Sequence, residues 1–355
     1  MNYKDEFHDL LSTVIKENAS DLHIAVGRHP ILRIDGGLLP LLKKEVVTAE
    51  IAEGLVRAMT TEEQYSIFQA EKELDFSYDF DGKARFRVNA YLQRGFHGAA
   101  LRLIPSHIGT FQDLGLPPIL EDFCKRPQGF FLVVGPTGHG KTTTLASMVD
   151  YINHSRNDHI ITIEDPIEYV FSSDIAVVDQ REVGLDTHSF AKALRSMFRE
   201  DVDVGMIGEM RDPETIATAV TAAETGHLIF STLHTNNAAQ TIDRIIDSFP
   251  SGQQSQIRAQ LSSTLIGIVS QRLVPRINGG LIPACEVMIS TPATRNLIRE
   301  SKTHELDLVI ETSSDAGMVS LNRSLTDLVR RGEITVENAM SYSLNPIELQ
   351  LLLRR

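Results

Sequence analysis

The segment Gly135-Pro-Thr-Gly-His-Gly-Lys-Thr142 has the residue types and spacing that hold a polyphosphate. Its glycines let backbone amides converge on anionic oxygens at the start of a helix, where the peptide dipoles favour negative charge. Lys141 would reach the outer phosphates, and the Thr142 hydroxyl would ligate Mg²⁺. The flanks agree: the apolar run Phe130 to Val134 precedes the loop as a strand, and Thr143 to Ile152 follows it as a helix. The expected phosphate contacts are Gly135, Pro136, Thr137, Gly138, His139, Gly140, Lys141, Thr142 and Thr143.

Such a site also needs an acid to organise the magnesium and an acid to activate water. Two acidic segments close apolar runs: Ile161-Thr-Ile163 leads into Glu164-Asp165-Pro166-Ile167-Glu168, and Val204 to Ile207 leads through Gly208 into Glu209. At the C-terminal ends of parallel strands these acids face the same crevice as the phosphate loop. Asp165 and Asp212 each precede a proline and read as caps of turns or helices. A third segment, Gly226-His227 through Ser231-Thr-Leu-His234, puts histidines at the two ends of one strand. They lack the partner ligands of a metal site and read equally as turn residues or as groups near the crevice.

The elements that must position these groups differ between the two parts of the chain. Residues 3–17 repeat apolar side chains at helical spacing, and strands are expected at 22–26, 31–34 and 38–41, the last two around Asp35-Gly36-Gly37. A helical stretch over 48–70 precedes alternating strands at 74–80, 84–92 and 98–104, punctuated by Asp81-Gly82 and Arg94-Gly95. Arg85 and Arg87 fall on one sheet face because their spacing is two, with Arg102 on a neighbouring strand; alone, they read as solvated surface charges. This is an antiparallel sheet with two helices. From Phe130 the pattern turns to strand, loop and helix, with further apolar runs at 160–163, 175–178, 202–207 and 228–231. A helix over 212–225 begins at Asp212 and ends at Gly226, and residues 255–272 and 318–342 read as helical. The expected organisation is α/β: an N-terminal α+β domain over 1–104, a proline-rich linker over 105–118, and a parallel-sheet domain with a small helical extension over 119–355.

Composition narrows the function classes. The 355 residues carry 47 acidic and 34 basic side chains, a formal charge of −13, which argues against a general nucleic-acid binder. No apolar run approaches the ~20 residues that cross a bilayer, and the charged start does not resemble an export signal. Two cysteines supply neither a disulfide framework nor a four-cysteine zinc site.

In their order, these motifs resemble those of the type II and type IV secretion and pilus ATPases, and specifically the PilT-type retraction ATPases of twitching motility. The resemblance is carried by the phosphate loop, by ITIEDPIEYVF at 161–171, IGEMRDPETI at 207–216 and TGHLIFSTLHTNNA at 225–238, and by a segment at 291–300 in which Thr294 replaces an isoleucine. It covers essentially the whole chain, departing at His139, where serine is usual, and at Gly205 and Met206.

The resemblance implies a PAS-like N-terminal domain and a RecA-like ATPase domain, assembled as a cytoplasmic homo-hexamer at the inner face of the membrane. It implies hydrolysis of ATP with Mg²⁺, with Glu168 or Glu164 activating water and Glu209 organising the metal through water. His227 and His234 would sense nucleotide or bridge to neighbouring groups, and Arg85 and Arg102 would reach the nucleotide from the N-terminal domain. Implied partners are a PilC-like platform protein of the inner membrane and a PilU-like paralogue, with no nucleic acid. The alternatives are a PilU-like accessory motor and a nucleotide-sensing scaffold without turnover.

Overall fold

A computed structural model describes residues 2–34, 36–104 and 108–354. Their contacts divide into two compact units, Met1–His107 with Pro166–Val170, and Ile108–Asp165 with Phe171–Arg355. Asp35 of the expected turn, and residues 105–107 of the expected linker, lie outside the described residues.

In the first unit, helix α1 (Tyr3–Lys16) buries Phe7, Leu10, Leu11 and Val14, the stripe its spacing predicts. Strands β1 (Asp21–Ala25), β2 (Ile31–Ile34) and β3 (Gly37–Pro40) follow. The stretch read as one helix over 48–70 is two, α2 (Ala49–Met59) and α3 (Glu62–Glu71). The break comes at extended Thr60, after which Thr61 and Gln64 form a reciprocal capping box that starts α3. The unit therefore has three helices where two were expected. Strands β4 (Glu73–Phe80), β5 (Ala84–Gln93) and β6 (Phe96–Ile104) complete an antiparallel sheet in the order β3-β2-β1-β6-β5-β4. Arg94 and Gly95 both take positive φ, as a two-residue hairpin between right-twisted strands requires.

The second unit begins with α4 (Leu120–Cys124), β7 (Gly129–Val134), α5 (Lys141–Asn153), β8 (His159–Glu164), β9 (Val177–Glu182) and α6 (Phe190–Met197). It continues through β10 (Val204–Ile207), α7 (Pro213–Glu224), β11 (Leu228–Leu233), α8 (Ala238–Asp247), α9 (Ser251–Thr264), β12 (Leu265–Pro275) and β13 (Leu281–Ile289). Helices α10 (Pro292–Arg299), α11 (Leu306–Thr312), α12 (Leu321–Arg330), α13 (Val336–Tyr342) and α14 (Pro346–Arg354) close the chain. The strand order is β13-β12-β7-β11-β10-β8-β9, parallel except for β13. Every residue of β7, β10 and β11 is buried, which is why β7, β10 and the first half of β11 read as apolar runs.

The expectation of helix over 255–272 is corrected here: the helix stops at Thr264 and residues 265–275 form β12, paired with β7 on one side and β13 on the other. The run Leu-Ile-Gly-Ile-Val has the β-branched character of a buried strand, and only its place beside β7 settles the choice against a helical continuation. The β12–β13 hairpin thus adds strands where helices alone were expected. Residues 108–118 of the expected linker pack against α5: Phe111 stacks on Tyr151 with centroids 5.5 Å apart, and Ser147 Oγ donates to the Gly109 carbonyl at 2.8 Å. Cys124 and Cys285 are buried free thiols, the latter pushed up by burial to about 12. Among the described residues no helix is long and apolar enough to cross a membrane.

Gly205 in β10 has a packing reason. A Cβ there would lie 2.8 Å from Ile229 Cδ1 and 3.0 Å from Met197 Sδ. Gly205→Val should therefore overpack the sheet–helix layer and cost about 1–3 kcal/mol, read as a lower midpoint in denaturant unfolding.

Candidate functional site

The chain leaves β7 at Gly135, whose φ of +147° only glycine adopts readily. A Cβ at this position would also come within 2.3 Å of the Gln271 carbonyl oxygen on β12. Gly138 and Gly140 take φ of +78° each, and α5 starts at Lys141 with no side chain capping it. The N–H groups of its first turn thus have no intrahelical partner, and with the helix dipole they form an anion-binding end.

Lys141 is nearly buried, and its Nζ donates to the carbonyls of Gly135 and Pro136 at 2.9 Å each. It also lies 3.3 Å from His234 Nδ1, which Thr137 Oγ1 approaches at 3.3 Å. On the other side of the same ring, His234 Nε2 is 3.7 Å from Glu209 Oε2, while the second carboxylate oxygen of Glu209 pairs with Arg211. Burial and then the Lys141 charge hold His234 below the ordinary histidine range. A neutral ring can accept from Lys141 at Nδ1 and keep its proton at Nε2, toward Glu209. The structure thereby brings Lys141, His234 and Glu209 into one chain of contacts at the C-terminal ends of β10 and β11.

Glu164, at the end of β8, is buried and accepts from Thr162 Oγ1 at 2.7 Å and Gln180 Nε2 at 3.2 Å. The neighbouring strand end is tied to it, because Gly208 N donates to the Ile163 carbonyl at 2.8 Å. Asp212 is a helix cap, accepting from Thr215 N at 2.8 Å. His227 is not brought to this site. It precedes Leu228, which pairs with Gly129 at the start of β7, so one six-residue strand, about 20 Å, separates it from His234. Its Nδ1 lies 2.9 Å from the Ala222 carbonyl at the end of α7.

The remaining candidates belong to the first unit. Arg85 Nη2 donates to Ser77 Oγ at 2.6 Å, and Arg87 Nη1 lies 3.4 Å from Glu168 Oε1. Arg102 is largely exposed and pairs with its cross-strand neighbour Asp21 at 2.9 Å. Burial raises the Asp21 carboxyl, but hydrogen bonds from Ser20 and Arg102 outweigh it and hold the group below its usual value. The segment 161–171 is therefore divided, with Glu164 in the second unit and Glu168 in the first.

Magnesium requires hard oxygen donors and keeps several waters. The half-buried Thr142 at the start of α5 and the Glu209 carboxylate fit that requirement, whereas among the described residues no cluster of three or more histidine, cysteine or acidic groups forms a protein-only metal site. Beside Gly140 and Thr143 lies a cavity of about 220 Å³ walled by Leu114, Leu116, Leu273 and Pro283 together with Asp113, Thr144 and Gln271. A glycine-built anion cradle at the end of a central parallel strand, with a lysine, a strand-end carboxylate and a cavity alongside, defines a P-loop nucleotide-binding protein.

The comparisons narrow this class. A family model described as "Type II/IV secretion system protein" matches residues 4–340, and the chain belongs to that family. It is 47% identical to the type IV pilus retraction ATPase PilT of Pseudomonas aeruginosa over 93% of this chain and 96% of that one. It is 40% identical to the type IV pilus ATPase PilU of the same organism, over 98% and 91%. A crystal structure of the pilus retraction motor PilT with bound ADP superposes with a TM-score of 0.90 at 47% identity, covering 97% of this chain and 98% of that one.

The loop after His234 is held by a buried acid that sequence analysis passed over. Glu286 on β13 accepts from Ala238 N, the first residue of α8, at 2.9 Å, and burial pushes its pKa up to about 7. The folded chain keeps this proton above the ordinary glutamate range while the unfolded chain loses it, so stability falls as pH rises from about 4.5 toward 7. Glu286→Gln keeps an acceptor for Ala238 without the charge. It should raise the melting temperature at pH 8 and change it little at pH 5.

Proposed function

We propose that this chain is an ATP-hydrolysing motor of type IV pilus retraction. The observation that carries the reading is the contact chain from the phosphate loop through Lys141 and His234 to Glu209. Near-complete coverage of a pilus retraction ATPase at 47% identity supports it. The first-turn amides of α5 and Lys141 hold the outer phosphates of ATP, and the cavity beside Gly140 takes the base. Thr142 and, through water, Glu209 would hold Mg²⁺, which would supply neutralisation of the phosphate charge when bound. Glu164 or Glu168 takes a proton from water as its oxygen attacks the γ phosphorus and the bond to the ADP oxygen breaks.

In this reading the N-terminal domain, over 1–104, is PAS-like and the segment after it couples it to a RecA-like domain. Six copies form a ring in which Arg85 and Arg102 reach nucleotide and His227 bridges to neighbouring groups. The ring works in the cytoplasm against a PilC-like platform protein at the inner face of the membrane, alongside a PilU-like paralogue. The second reading, a PilU-like accessory motor, draws on the 40% identity that extends over 98% of this chain.

Turnover of ATP by the purified chain with Mg²⁺ is the test. Lys141→Ala should abolish nucleotide binding. Whichever of Glu164→Gln and Glu168→Gln removes the base should cut kcat by about 10²–10⁴-fold while ADP still binds. Tight ATP binding with no turnover in the unsubstituted chain would replace the motor with a nucleotide-sensing scaffold. In the parent organism, deletion should abolish twitching and leave surface pili in place; loss of pili would overturn retraction.

A further inference from the structure

Strand β12 does more than extend the sheet. Its parallel ladder with β7 ends at Ser270 opposite Val134, where the chain turns into the phosphate loop. From Gln271 onward β12 continues against β13 alone, through Pro275 opposite Leu281. At this point side chains take over from the backbone ladder. Gln271 is 2% exposed, and its Nε2 donates to the His139 carbonyl at 2.9 Å while its Oε1 accepts from Thr144 Oγ1 at 2.8 Å. One amide thus joins the tip of the loop to the first turn of α5. Two residues on, Leu273 N donates to the His139 ring at Nδ1, 2.9 Å away. The two loop glycines nearest β12 leave no clearance: a Cβ at Gly135 would meet the Gln271 carbonyl at 2.3 Å, and one at Gly140 would meet Gln271 Nε2 at 2.9 Å.

From this geometry we infer that Gln271 is a positioning residue for the triphosphate, holding the phosphate loop in its anion-binding shape from β12, with His139 as a second tie to the same strand. The inference rests on the reading of the loop as an ATP site. A loop with three glycines at positive φ has much conformational freedom to lose. If the loop is held in shape before the ligand arrives, that loss does not weaken binding. Removing the amide leaves the His139 carbonyl and the buried Thr144 hydroxyl without their partner, which favours other loop conformations. His139 suits its role because a neutral ring can accept from Leu273 N. Burial, Arg272 and Lys141 all hold its pKa below the ordinary value, which keeps it neutral.

A loop that must be ordered by its ligand weakens binding but not the chemistry that follows, so the signature is a split between KM and kcat. Gln271→Leu should raise the KM for ATP about tenfold with kcat within twofold, at a melting temperature close to that of the parent. Gln271 also borders the cavity beside Gly140, so contact with the base is the competing explanation. Tripolyphosphate, which has no base, separates the two: its inhibition constant should rise in the same proportion as KM. An unchanged tripolyphosphate constant, or a loss confined to kcat, overturns the inference. Thr144→Val removes one tie from a side chain of nearly the same shape. It carries the test if Gln271→Leu does not fold: a two- to fivefold rise in both constants is expected, and no change overturns the inference. Should the unsubstituted chain bind neither ATP nor tripolyphosphate, the function reading falls and the inference with it. Binding by the parent that Gln271→Leu leaves intact defeats the inference alone.

Discussion

The site depends on the way the chain leaves β7. That strand is fully buried between two parallel neighbours, β11 and β12, and the backbone must turn sharply at its end without a side chain in the way. Gly135 makes the turn because β12 lies flush against it. The helix that follows starts at Lys141 without a side-chain cap from Gly140. An ordinary helix start would be satisfied by a serine or aspartate, as Asp212 and Ser189 do for α7 and α6. At Gly140 no side chain takes that role, and the positive end of the helix dipole faces the loop.

The acids reach the site through strand ends, and the ends are aligned by hydrogen bonds between neighbouring strands. Gly208 N bonds to the Ile163 carbonyl, and Thr232 Oγ1 bonds to the Gly208 carbonyl at 2.6 Å, so β8, β10 and β11 terminate as a set. Glu164 is the last residue of β8, His234 follows β11 directly, and Glu209 stands two residues past β10. Of the groups past these ends, His234 touches both the loop lysine and Glu209, through opposite nitrogens of its ring. Its depressed pKa follows from that placement, since a charge on the ring would face Lys141 in a partly buried setting.

Much of this was legible in the residues. The phosphate loop, the strand-end acids and the cap at Asp212 follow from local rules, since glycine, proline and capping side chains act within a few residues of where they stand. The hairpin turns at Asp81-Gly82 and Arg94-Gly95 did too, for the same reason. The break at Thr60 is a short extended step between two helical stretches, and its local mark is the capping box of Thr61 with Gln64. Gln271 was hidden by the assignment of 255–272 to a helix. A glutamine between Ser270 and Arg272 carries no local sign of what it will face, and its two partners lie 127 and 132 residues away.

By itself the sequence determined the anion cradle, its lysine and the alternation of strands and helices, because glycine freedom, capping and burial periodicity are properties of short segments. Tertiary structure decided which of two histidines on one strand meets the loop, since a parallel strand sends its opposite ends to opposite edges of the sheet. It also decided that residues 265–275 are extended, because an open edge of β7 offered them a ladder that no helix could fill. The division of 161–171, which leaves Glu164 with one unit and Glu168 with the other, is likewise a matter of packing between segments far apart in the chain.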